Sequence, residues 1–273
     1  MKKIILASLL FLAAYSHAQL FESQLASYNP AYTGMMDDRF TDFNMSSFGF
    51  RRSYNFNNFS SSYQQNVDNI NSGFGVNVGH MRLNFEDFRL TTFYTSFSYR
   101  YAHSFENGLR LAAGTRLGYS RLDVTDNQQF GIADAQRFHL QFGGMASFKN
   151  FTLGYALPVF DASFNTHAIN ASYKFNATER IEFTLLSGSF FQNKRFQQTF
   201  RIKSEFNQKF WLAVGFIVDK DRALYNNFVS CGLHAGYRIK QHFHIMLGTD
   251  FGFSSNSFSV YNPQIGLVYQ WRK

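Results

Sequence analysis

The sequence predicts an all-β fold: a transmembrane antiparallel outer-membrane barrel of about fourteen strands. Three observations carry that expectation. The chain opens with an export signal. Segment after segment then alternates oily and polar residues with period two. The composition joins an aromatic content of 19% to a mean hydropathy of only −0.25, as expected of strands with one oily face and one wet face.

At 273 residues and 31.6 kDa the chain is one large domain or two ordinary ones. Its 35 Phe and 15 Tyr can bury enough surface to offset chain entropy, which excludes disorder. A single Cys excludes a disulfide scaffold. Phe, Tyr, Thr and Ser outweigh Ala, Leu, Glu and Lys, which argues against a helical domain. Beyond residue 15 no uninterrupted apolar run approaches the roughly 18 residues of a spanning helix.

The export signal is built in three parts. Lys2 and Lys3 form a basic start, residues 4–14 are apolar, and Ser16 and Ala18 are small residues at the −3 and −1 positions. Cleavage is expected between Ala18 and Gln19. Loss of Lys2 and Lys3 lowers the formal charge from +8 to +6. The remaining Lys and Arg are scattered, and the chain is exported, so nucleic acid is excluded as a partner.

Residues 109–120 show the alternation most clearly. Leu109, Leu111, Ala113, Thr115, Leu117 and Tyr119 share one face; Arg110, Ala112, Gly114, Arg116, Gly118 and Ser120 share the other. Phe243, Ile245, Leu247 and Phe251 likewise oppose His244, Met246, Gly248 and Asp250. Val229, Cys231, Leu233 and Tyr237 oppose Ser230, Gly232, His234 and Arg238. A soluble sandwich would also alternate. Here the minor face carries Gly, Ser, Arg, Glu and His while the apolar face carries little charge, which is the pattern of a barrel with lipid outside and a polar lumen.

Strands are expected near 39–50, 54–66, 73–84, 88–103, 107–123, 136–148, 151–158, 166–175, 180–190, 195–206, 209–218, 227–238, 242–251 and 259–272. Fourteen is an even number, as bacterial barrels have, and puts both termini on the periplasmic side. Tight turns are expected at 149–150, 176–179, 207–208 and 239–241, and longer outer links at 124–135, 159–165, 219–226 and 252–258. A two-residue turn at Lys149 and Asn150 would pair Phe148 with Phe151 and Phe142 with Leu157. At the C-terminus, Gln264, Gly266, Tyr269 and Trp271 resemble the polar-x-Gly-x-x-aromatic-x-aromatic ending read by the barrel assembly machinery.

Catalytic chemistry has no constellation to carry it, so no enzyme activity and no cofactor are expected. There is no Gly-x-Ser-x-Gly elbow. His242 and His244 share a strand face near His234, but spacing supplies no further metal ligand. Arg100, Arg110, Arg116, Arg201, Lys203 and Arg238 point inward with Glu182, Glu205 and Asp250; they either line an ion-selective constriction or pair and fill the lumen. Gly73 and Gly75 sit within an alternating strand, where glycine permits close strand packing or a bend.

Residues 19–34 read QLFESQLASYNPAYTG. Within them Tyr28, Asn29, Pro30, Ala31, Tyr32, Thr33 and Gly34 resemble the Asn-Pro-Ala-Tyr-Ala-Gly signature of the PorP/SprF family of Bacteroidota outer-membrane proteins. Stretches at 72–83, 96–120 and 140–158 look similar to the same family. The resemblance implies a barrel of the type IX secretion system that works with secretion components. It also implies a role in export or cell-surface attachment of a secreted cargo protein, including adhesins of gliding motility.

The expected organisation is a signal peptide at 1–18, a periplasmic segment at 19–38 and a barrel at 39–273 embedded in outer-membrane lipid. The segment at 19–38 lacks sustained alternation and contains Pro30, which cannot donate to a ladder, so it is expected to dock or plug rather than form a strand. Phe130, Phe160, Phe164 and Tyr225 fall in the expected outer links and are candidate anchors for a partner. The rival expectation is a porin or transporter for small or hydrophobic solutes.

Overall fold

The computed structural model describes residues 25–26, 29–35, 39–50, 54–85, 88–125, 135–160, 166–192, 195–221, 226–239, 242–254 and 258–271. The expected cleavage site at Ala18 and Gln19, and residues Tyr28, Phe130, Phe164 and Tyr225, lie outside these. Fourteen strands follow in order: β1 (Arg39–Phe50), β2 (Tyr54–Val67), β3 (Ser72–Phe85), β4 (Phe88–Ser104), β5 (Leu109–Thr125), β6 (Ala135–Phe148) and β7 (Phe151–Phe160). They continue with β8 (Thr166–Thr178), β9 (Ile181–Gln192), β10 (Arg195–Phe206), β11 (Phe210–Asp221), β12 (Asn226–Ile239), β13 (Phe243–Ser254) and β14 (Phe258–Trp271).

Each strand pairs antiparallel with its chain neighbours, and β1 pairs with β14 to close the barrel. Closure satisfies backbone donors and acceptors that lipid could not, which is why the polar ladder can sit in a membrane at all. At the seam Arg39 pairs with Trp271 and Ser46 with Gln264. β1 therefore begins and β14 ends at the same rim, the one that also carries the turn at Lys149 and Asn150.

The alternation sorts side chains as the sequence implied. Leu117 is 57% exposed on the outer surface, while Ala112 on the opposite face is 8% exposed. Phe43, Phe97, Phe142, Phe200, Phe216 and Leu247 are likewise exposed outside. Asn58, Ser60, Ser62, Gln64, Arg201 and Lys203 are buried inside. The hydrophobic arrangement is thus inverted relative to a soluble protein, because the solvent of the outer face is hydrocarbon. The hairpin at Lys149 and Asn150 has the anticipated register, with Phe148 opposite Phe151 and Phe142 opposite Leu157.

Link lengths differ from the expectation. Strands run further than their alternation suggested: β12 begins at Asn226, and β9 reaches Gln192. Among the far-rim links, 86–87 and 193–194 are as short as the turns of the near rim, and 126–134 is the long one. Antiparallel neighbours go on pairing beyond the oily belt, since a ladder bond is available to polar residues as well.

Candidate functional site

The described residues before β1, 25–26 and 29–35, lie in the lumen. Asn29 begins the turn. Its side-chain oxygen accepts the Ala31 N–H at 2.9 Å and caps a single 3-10 turn, Pro30–Tyr32. Pro30 suits the first position of such a turn because it has no N–H to satisfy. Thr33 N–H donates back to the Pro30 carbonyl at 3.1 Å, and Gly34 takes a φ of +62° that ends the turn. The local geometry is that of a cap and turn, and the motif residues account for each step of it.

Side chains of the barrel wall hold the segment. The Asn29 amide donates to the Gly144 carbonyl at 3.1 Å. Thr33 Oγ1 donates to Ser98 Oγ at 3.0 Å, and the Gly34 N–H donates to Gln64 Oε1 at 2.9 Å. The Arg116 guanidinium donates to the Ala26 carbonyl. Apolar packing complements these bonds: Leu25, Ala26, Ala31 and Tyr32 form one buried cluster with Ala102, Ala112, Met145 and Leu186. Its wall residues come from β4, β5, β6 and β9. Asn29, Ala31 and Thr33 are completely buried. Burial pushes the Tyr32 phenol above its ordinary pKa, so it stays neutral.

The seat exists because the wall is bare. A Cβ on Gly114 would lie 2.5 Å from the Pro30 carbonyl oxygen, and one on Gly154 would lie 2.7 Å from the Tyr32 ring. One on Gly75 would lie 2.9 Å from Thr33 Cγ2, and Gly73 and Gly143 face Thr33 and Asn29 still more closely. All five glycines are on the lumen face of β3, β5, β6 and β7. The sequence assigns Gly73 and Gly75 to close strand packing or a bend; a Cβ on Gly75 would indeed meet Ser98 of the neighbouring strand at 2.7 Å, and both positions also make room for Thr33. The available signal was that these glycines share the minor face of their strands.

The opposite wall fills itself. Lys203 Nζ lies 3.0 Å from Glu205 Oε2, and Arg238 Nη2 lies 3.7 Å from Glu205 Oε1. Arg238 Nε donates to His244 Nε2 at 3.1 Å. His234 lies 3.6 Å from Asp250, which the Gln264 amide also reaches. Lys203 further sits over the Trp211 ring, 5.9 Å from its centroid. Of the two options for the inward charges, the β10–β14 wall takes pairing. Among the described residues no group of three or more His, Cys, Asp or Glu could hold a metal ion.

The remaining site residues stand as follows. Gly266 pairs with Asn44 and with Met246, Tyr269 faces outward, and Trp271 ends β14 opposite Arg39. Phe160 is the last residue of β7.

The family described as type IX secretion system membrane protein PorP/SprF matches residues 13–270. No curated protein sequence matches the chain. Among solved structures, the CymD monoaromatic hydrocarbon channel superposes with a TM-score of 0.63 at 10% identity, covering 93% of this chain and 94% of that one. The Ralstonia pickettii toluene transporter TbuX gives 0.58 at 13%, covering 91% and 93%. A Pseudomonas aeruginosa FadL homologue gives 0.58 at 10%, covering 90% and 93%. At such identities the likeness is one of fold, that of outer-membrane barrels. Together with the family match it supports an outer-membrane location.

Proposed function

The chain belongs to the PorP/SprF family of type IX secretion system membrane proteins, and from that premise we propose that it is a non-enzymatic barrel supporting export or surface attachment of a secreted cargo protein. The observation that carries this reading is the seated segment. Residues 29–34 lie inside the barrel on five wall glycines, and an ionic network fills the opposite wall. A lumen spent on internal contacts suits a scaffold or anchor better than a wide solute pore.

In this reading the Asn29–Gly34 turn closes the barrel from the periplasmic side, where both termini lie. Cargo is then held at the other rim, where the links at 126–134 and 161–165 carry Phe130 and Phe164, and where Phe160 and Tyr225 stand close by in sequence. Family membership implies contact with other secretion components. The rival reading, a porin or transporter for small or hydrophobic solutes, draws on barrels of similar shape that move such compounds.

Deletion of the gene, followed by surface proteomics and planar-bilayer recording of the purified protein, separates the two. The expected result is loss of one or a few surface proteins, intact general export and low conductance. Steady open-channel conductance, with an unchanged cell surface and reduced solute uptake, would overturn the proposal.

A further inference from the structure

Away from the seated segment, β1 and β2 bring four oxygen-bearing side chains together on the lumen wall. Asp42 and Asn44 are two residues apart on β1, and Ser62 and Ser60 stand opposite them in register on β2. All four are buried: Asp42 is 0% exposed and Asn44 2%. The Ser62 N–H donates to Asp42 Oδ1 at 3.0 Å, which holds the carboxylate toward β2. The Tyr94 phenol lies across Gly79, the register partner of Ser60, and brings a fifth oxygen to the edge of the square.

Both the oxygen and the nitrogen of the Asn44 amide lack a partner among the described residues, and so does the Ser62 hydroxyl. A buried amide with neither atom satisfied is rare and expensive. The register partners bordering the square are Val268, Gly266, Asn77 and Gly79, none of them basic. One carboxylate among amide, hydroxyl and phenol oxygens, with no sulfur ligand, is a donor set for hard cations rather than transition metals.

We propose that Asp42, Asn44, Ser60 and Ser62 bind a hard cation of the calcium or sodium class, which pins β1 to β2 next to the β1–β14 closing seam. Asp42 supplies the charge, and the Asn44 and serine oxygens complete the shell. The Asn44 side chain turns its carbonyl to the ion, which accounts for an amide without a partner among the described residues.

The full-length mature chain, purified in detergent, is titrated with Tb3+ at constant ionic strength. Tyr94 is placed to sensitise its emission. The expected result is saturable emission that Ca2+ or excess Na+ removes, and a matching cation-dependent rise in the heat-modifiability temperature. Asn44→Leu should abolish both while still giving a folded, heat-modifiable barrel. Tyr94→Phe should lower the emission and keep the thermal shift. Competition by Ca2+ at low concentration identifies the divalent class, and competition by Na+ alone the monovalent. Absence of any saturable response in the parent chain, or an undiminished response in Asn44→Leu, would overturn the site. So would an Asn44→Leu chain that melts higher than the parent chain in the absence of any cation effect, since the square would then hold water only.

Discussion

The side-chain amide of Asn29 donates to the backbone carbonyl of Gly144 at 3.1 Å, joining residues 115 apart in the chain. The oxygen of the same amide caps the turn that Pro30 begins, through the Ala31 N–H at 2.9 Å. One side chain thus both shapes the segment and ties it to the wall. Gly143, next to that carbonyl, has to be bare for the amide to approach. Seating is therefore a joint property of the motif and of distant glycines.

Gly114→Val should expel the segment without destroying the barrel. A Cβ there would lie 2.5 Å from the Pro30 carbonyl oxygen, which is backbone and cannot rotate away. The expected outcome is a heat-modifiable barrel whose N-terminal segment is cut by added protease. Gly144→Val serves as the control, because its Cβ meets nothing within 4 Å. Equal protease sensitivity in the two variants would remove the wall glycines from the account.

Tyr32→Ala empties the centre of the buried cluster formed with Met145 and Leu186. Truncating a buried aromatic costs roughly 3–5 kcal/mol, which here falls on seating rather than on the strand ladder. Combined with Tyr28→Ala it should leave the barrel assembled and impair secretion function. A surface-protein assay and heat-modifiability on gels read the two effects separately. Failure of the barrel to assemble would make the motif a folding element.

Much of this architecture is legible in the sequence, for a physical reason. Period-two alternation marks strands such as β5, β12 and β13 locally, so Leu117 and Ala112 announce their faces without knowledge of any neighbour. Register at the 149–150 hairpin follows from matching Phe142 with Leu157, again a local rule. The seat is different. Gly73, Gly75, Gly114, Gly143 and Gly154 read as ordinary strand glycines until a segment 40 or more positions away lies on them. Asn44 and Ser62 look like routine lumen residues, and only their cross-strand register makes them neighbours. The ionic pairs around Glu205 were open to two readings because pairing depends on side-chain reach across strands.

The belt can be mapped by depth. Leu117 lies mid-strand on β5 and is 57% exposed, whereas Leu111 is near the rim where β5 begins. Leu117→Arg should destabilise the barrel by roughly 2–4 kcal/mol and Leu111→Arg by about 0–1 kcal/mol, following the depth dependence of charge in a bilayer. Reversible urea unfolding in lipid vesicles measures both. Equal penalties would contradict the placement of the belt.

Glu205 and Lys203 should respond unequally. Glu205 faces two cations, Lys203 at 3.0 Å and Arg238 at 3.7 Å. Lys203→Met leaves the carboxylate with Arg238, whereas Glu205→Leu removes the acid that both share. The second change should cost roughly 3–5 kcal/mol and the first clearly less, since the larger penalty attaches to cations left in a buried site without that acid. A Lys203→Met/Glu205→Leu double variant should recover part of the loss. If Lys203→Met is the more damaging, its contact with the Trp211 ring carries more than the ion pair does.

Topology gives the last test. Arg39 and Trp271 pair at the rim that also bears the 149–150 and 179–180 turns, so the start of β1 and the end of β14 share a side with them. The expected signal peptide would deliver the chain from the inner face of the outer membrane, and the longest link, 126–134, is on the rim opposite to the one where β1 begins and β14 ends. The link at 126–134 then faces outward. An epitope inserted between residues 126 and 134 should be labelled on intact cells, and one at 179–180 only after the outer membrane is permeabilised. Labelling of the 179–180 site alone would invert the barrel, move the seated segment to the outer mouth, and take with it the assignment of cargo to the far rim.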